Sequence, residues 1–225
     1  MIDDLVMGID VADDTMTLCE LAVAAEHMSR GRPVLLCDGG TGESRSLQYL
    51  TLAAASVTAE SMSFLIRHTS GYLAIALPDD RADRLDLPGL GVTQHGRYQL
   101  CYGVSVDAAH GVSTGISAQD RAVTARLLAD STTVSDDLHR PGHMVTIRVP
   151  RPGAHDRLTP IDFALHIAHI AELPAVVVLA PIVSDAHPIV MASQFDAQAF
   201  ARDHGVPVFR CPPYASGTTR RTQLF

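Results

Sequence analysis

The sequence has no tryptophan, and aromatic residues make up only 5% of its 225 positions. A platform for stacking exposed bases is therefore excluded. Basic residues are also scarce. Against 25 Asp and Glu stand 17 Lys and Arg, for a net charge of −8. That balance excludes a basic footprint for nucleic acid. No apolar run approaches the roughly 20 residues that span a bilayer. The four cysteines (Cys19, Cys37, Cys101, Cys211) lie far apart and form no CxxC pair. They read as reduced, mostly buried thiols. The N-terminus, Met1-Ile2-Asp3-Asp4-Leu5, is acidic and lacks a signal-peptide pattern, so a cytoplasmic location is expected.

What is present is an ordinary globular composition, 47% hydrophobic and 19% charged, in a chain long enough for a sizeable core. Helix and strand signals alternate. Apolar periodicity predicts helices over 18–28, 58–68, 79–85, 117–128, from 159 or 162 to 171, and 193–204. Strands are predicted over 33–37, 49–57, 72–77, 99–106, 144–149, 174–180 and 206–209. The continuous apolar run Pro174–Ala180 has the pattern of a strand buried on both faces. No repeat or linker interrupts the series. The reading is one α/β (mixed α+β) domain over 17–210 with helices packed on a mixed sheet. A loose arm over 1–16 and a mobile tail over 211–225 flank it.

Candidate chemistry begins where the strand at Pro33–Cys37 ends in Asp38 and a loop, Gly39-Gly40-Thr41-Gly42. Such a loop can cradle phosphate with backbone N–H groups, but it lacks the GK[ST] of a P-loop. Gly111-Val112-Ser113-Thr114-Gly115 matches G-x-S-x-G, which nominates Ser113 as a hydrolase nucleophile with His143 and Asp162. The helix that follows starts only at Ser117, too late for a tight elbow; a loop of hydroxyls and amides is the plainer reading. His166 and His169 sit at i and i+3 on one helix, with His155 nearby. They are metal-ligand candidates or packing histidines. His143, after Arg140-Pro141-Gly142, is either a general acid/base or an exposed turn residue.

Several stretches occur in an order that resembles the 3,4-dihydroxy-2-butanone 4-phosphate synthase family of riboflavin biosynthesis. They are Gly31-Arg32-Pro33-Val34 with Asp38, 66–71, 85–88, 104–121, Arg140-Pro141-Gly142-His143 and 173–177. The resemblance covers roughly residues 18–210. It implies one α/β domain, a homodimer with sites at the subunit interface, and a lyase. That lyase converts ribulose 5-phosphate to dihydroxybutanone phosphate and formate with Mg²⁺. No organic cofactor is implied.

The resemblance assigns roles position by position. Asp38, Glu43, Tyr98 and His143 fall on acid/base and active-site positions. Arg157, Thr114, Ser113 and Thr159 fall on substrate and phosphate positions. Glu43 is the implied metal ligand. The family's Arg-Glu-Asn-Glu-Gly-Asp loop reads here Gly42-Glu43-Ser44-Arg45-Ser46-Leu47. Its Arg-Gly-Gly-His-Thr-Glu motif reads Arg157-Leu158-Thr159-Pro160-Ile161-Asp162, without the metal-binding histidine. Ala180 replaces a catalytic glutamate, and Ala74 stands where cysteine is frequent. The expectation is a divergent lyase or isomerase acting on a sugar phosphate. The alternatives are an inactive paralogue serving as a binding subunit, and an ordinary synthase.

Overall fold

A computed structural model describes residues 18–38, 47–95, 98–150 and 159–211. Eight strands form one mixed sheet in the order β4-β5-β6-β3-β7-β2-β1-β8. They are β1 (Val34–Cys37), β2 (Gln48–Ala53), β3 (Ala74–Pro78), β4 (Gly89–His95), β5 (Tyr98–Ala108), β6 (Leu138–Val149), β7 (Val177–Pro181) and β8 (Val208–Arg210).

Six helices cover the two faces. On one, α1 (Leu18–Ser29) and α5 (Pro160–Ile170) bury Ala24, Met28, Ile161, Phe163 and Leu165 against Leu36, Ile147 and Leu179. On the other, α2 (Ala59–His68), α3 (Asp79–Arg84), α4 (Ala118–Ala129) and α6 (Gln194–His204) bury Met62, Leu65, Ala125, Leu128 and Phe200 against Leu35, Ile75 and Val178. Strands between two helical layers have no wet face, which is why β1 and β2 are buried at every position.

Local chemistry fixes the helix starts. Thr58, Thr159 and Ser193 each close a capping box with the residue three further on. Ser117 caps α4 by accepting the Asp120 N–H. Gly205, left-handed at φ 63°, ends α6.

The pairing corrects two sequence expectations. Strand β4 carries too little β-branched character to be seen, and it forms by pairing with β5. The run predicted as a strand over 49–57 leaves the sheet after Ala53 into a short 3-10 turn at Ala54–Ser56.

Burial also sets a pH dependence. His27, His68 and His166 all have pKa values lowered from 6.5, with desolvation the largest cause in each. Secondary causes are Arg32 beside His27, His204 beside His68 and His169 beside His166. The unfolded chain then binds more protons than the folded one just below pH 6.5, so stability rises with pH through that window. The contribution is complete above 6.5 and shrinks as pH falls. Urea midpoints are expected to drop between pH 7.5 and pH 5.5. A flat profile would contradict the shifts.

Candidate functional site

Strand directions decide which residues meet. β1 is antiparallel to β2, β2 to β7 and β7 to β3, while β3 is parallel to β6 and β6 antiparallel to β5. The C-terminal ends of β1, β7 and β5 therefore share one end of the sheet with the N-terminal ends of β2 and β3. The paired part of β6 begins there too, since Val145 lies opposite Ala74 and Ser105. This end gathers Asp38, Ala74, Ala180, Asp107 and His143.

The best-formed chemistry is at β5 and β6. His143 Nδ1 lies 2.7 Å from Asp107 Oδ2, and the His143 backbone N–H donates to Asp107 Oδ1 at 2.9 Å. In the neutral ring, a carboxylate holding Nδ1 favours the tautomer with the proton on Nδ1, whose Nε2 is the acceptor. The imidazole is 40% exposed and the carboxylate 11%, so the dyad has a buried anchor and an open working edge. Arg140-Pro141-Gly142-His143 belongs to β6 rather than to a turn before it. The register jumps there, from Val106 opposite Met144 to Asp107 opposite His139. The bulged backbone brings the ring to Asp107.

Neighbouring residues lock this geometry. Arg140 donates to the carbonyls of Leu85, Asp86, Ser135 and Leu138. It is thus scaffolding and not a ligand donor. Gly115, at φ 86°, passes so close that a Cβ would overlap Asp107 and His143.

The loop before α4 is tied down by Asp120. Its carboxylate accepts from the Ser113 hydroxyl at 2.7 Å, the Ser113 N–H at 3.2 Å and the Gly115 N–H at 3.1 Å. These bonds, the Ser113 hydroxyl foremost, hold the Asp120 carboxyl below the usual range. Thr114 remains exposed.

The sequence assigns Asp107 no role and Asp120 only that of a capping partner of Ser117, although both fall inside the 104–121 stretch. Carboxylates at a strand end and in a helix first turn look like ordinary strand-end and capping residues. Only the fold shows what they hold.

The serine hydrolase arrangement does not assemble. The Ser113 hydroxyl donates its hydrogen bond to Asp120, and Asp162 accepts from the N–H and hydroxyl of Thr159 as the cap of α5. A serine nucleophile needs a basic imidazole in that place.

A second cluster surrounds the end of β1. Asp38 is buried. The fully enclosed Cys211 thiol is pushed up by desolvation first, then by Asp38, with Asp162 contributing. That places Asp38 and the start of α5, with Thr159, in one neighbourhood. Glu43 and Arg157 lie outside the described residues, as do His155, the side chain of Tyr98 and the glycine loop after Asp38. Ala180 is wholly buried, opposite Leu50. His166 is buried among the apolar side chains of α5, and its Nδ1 has no partner.

The two clusters are not adjacent. From β6 to β1 there are four inter-strand steps, roughly 19 Å at about 4.8 Å per step. Between them lies a 330 Å³ hollow lined by Tyr49, Tyr72, Ala74, Leu100, Tyr102 and Ile147. A larger cleft of 430 Å³, lined by His27, Arg32 and His204, opens around Pro33 at the opposite end of β1 from Asp38.

Magnesium takes several oxygen donors, chiefly carboxylate and water. Among the described residues no three His, Cys, Asp or Glu side chains gather to hold an ion. Pro160 stands at the family's histidine position, and Asp162 is engaged in its cap. Glu43, the implied ligand, lies outside the described residues, and those described form no such group of their own.

Comparison with known proteins agrees with this architecture. The family model described as 3,4-dihydroxy-2-butanone 4-phosphate synthase matches residues 22–212. The riboflavin biosynthesis protein RibBA of Salinispora tropica is 40% identical over 183 residues, covering 81% of this chain and 45% of that protein. The Nocardia farcinica protein of the same name is 39% identical over 181 residues, covering 80% of this chain and 43% of its own length. The chain thus spans less than half of these curated relatives. A solved structure of the Candida albicans synthase superposes with TM-score 0.75 at 29% identity, covering 88% of this chain and 95% of that one. A synthase structure in complex with two magnesium ions gives TM-score 0.76 at 30% identity, covering 84% and 92%. The chain belongs to the 3,4-dihydroxy-2-butanone 4-phosphate synthase family.

Proposed function

We propose, from this family membership, that the chain acts on ribulose 5-phosphate or a related sugar phosphate as a lyase or isomerase whose chemistry departs from the family reaction. The observation that carries the proposal is the intact Asp107–His143 pair, together with a proline at the α5 start where the family has its histidine. His143 Nε2 can accept a proton from a carbon next to the ketose carbonyl, or from a hydroxyl, and return it elsewhere on the substrate. Asp107 orients the ring and stabilises the imidazolium that forms. Thr114 and Arg157 are the proposed phosphate contacts, and Asp38, Glu43 and Tyr98 the proposed further site residues.

The same proposal includes a homodimer with shared sites. An extended pentose phosphate measures roughly 9 Å, from bond lengths of about 1.5 Å. It cannot touch Asp38 and His143 of one chain across four strand steps. A second copy seated on the tyrosine-lined hollow would bring one chain's Asp38 cluster toward the other's His143.

Incubation with ribulose 5-phosphate, with and without Mg²⁺, followed by NMR of all carbon products, tests the chemistry. A formate-free product is expected. Formate would indicate the ordinary synthase; no turnover and no calorimetric binding would overturn the proposal and leave a structural role. Mixing separately inactive His143→Ala and Asp38→Asn chains tests the sharing. Random assortment should restore roughly a quarter of the parent activity, because half the dimers are mixed and one of their two sites is intact.

A further inference from the structure

Other buried or half-buried arginines of this protein are put to use. Arg81 donates to the carbonyls of Leu128 and Asp130, Arg126 to that of Val57, and Arg148 to Asp79, Asp83 and Leu87. Arg140 holds four carbonyls, as described above.

Arg121, in the first turn of α4, is different. Its Nε is out of reach of solvent and has no hydrogen-bond partner. Desolvation draws its pKa down, and Asp107 is the charge that opposes this. Neither nearby carboxylate pairs with it. Asp107 is committed to the His143 backbone and ring through both oxygens. Asp120 is committed to Ser113 and Gly115 through both of its own. A partly buried guanidinium whose Nε–H has no acceptor is costly to maintain. It is also the side chain best shaped to grip an oxyanion with two parallel bonds. The N-terminal end of α4 adds the positive end of the helix dipole.

We infer that Arg121 is an anion receptor, gripping a phosphate or carboxylate group of the ligand presented to the Asp107–His143 pair. The inference rests on the proposed function only for the identity of that ligand. The site would be anion-selective even where the substrate is not the one proposed.

The test uses the full chain labelled with nitrogen-15. Arginine Nε–Hε signals are followed while inorganic phosphate, or in a separate arm acetate, is added at constant ionic strength. The Arg121 signal is assigned by its loss in Arg121→Lys. A saturable shift in the phosphate arm assigns a phosphate group; one confined to acetate assigns a carboxylate. By calorimetry, Arg121→Gln should weaken the effective anion about ten- to a hundredfold, the loss of a charge-assisted bidentate contact, with Arg121→Lys in between. No saturable shift in either arm, or unchanged affinity in Arg121→Gln, overturns the inference. A shift without any turnover of ribulose 5-phosphate sinks the proposed reaction and leaves the receptor standing. Turnover without a shift does the reverse.

Discussion

Gly142→Ala is expected to destabilise the protein by about 3 kcal/mol or more, at the upper end of what overpacking does. A Cβ at position 142 would lie 2.1 Å from the Val106 carbonyl carbon, 2.2 Å from the Asp107 nitrogen and 2.5 Å from the Val106 oxygen. These are backbone atoms of the adjacent strand, so no side chain can swing aside. Relief requires β5 and β6 to separate where the Gly142 N–H donates to the Ser105 hydroxyl. With a slope of about 2–3 kcal/mol per molar urea for a chain of this size, the midpoint should fall by about 1 M. A midpoint within about 0.3 M of the parent would mean that the two strands yield more easily than their packing implies. The His143–Asp107 contact is built on the same residues, so the surviving folded fraction should also lose the dyad.

Asp107→Asn separates the chemistry from the fold. The substitution keeps the shape but replaces an acceptor that is always available with an amide that can face His143 through its NH₂. The ring would then lose its imposed tautomer and the charge that stabilises the imidazolium. Turnover of ribulose 5-phosphate is expected to fall by about two to four orders of magnitude, the range for a general acid–base group. KM should change little, because Asp107 touches the ring and not the ligand. Steady-state kinetics check the split, and urea unfolding checks that the protein remains folded. A variant with near-parental turnover would remove His143 from the mechanism.

Much of the fold could be read from the chain, because local rules and tertiary structure agree there. Thr58, Ser117, Thr159 and Ser193 announce their helices and do cap them. The apolar run at Val177–Ala180 is buried throughout. Elements that depend on a partner were illegible. β4 contains two glycines, Gly89 and Gly91, and exists because β5 lies beside it. Arg140-Pro141-Gly142-His143 has the composition of a turn, yet it enters β6 through a register shift that no local pattern encodes.

The site was legible in part for the same reason. His143 stands out by residue type, whereas Asp107 and Arg121 acquire meaning only from what they face or fail to face. Motif membership also misleads in one case. Arg140 shares the most recognisable tetrapeptide with His143 but holds carbonyls.

Distance across the sheet also dictates a kinetic order. With Asp38 and His143 four strands apart, the shared-site reading makes each complete centre a product of association. Specific activity would then be constant at high chain concentration. Below the dissociation constant it would fall in proportion to the chain present, and the rate would become second order. Substrate bound between two copies would pull that threshold downward, so the protein would respond to scarcity of itself and to abundance of its ligand through a single equilibrium.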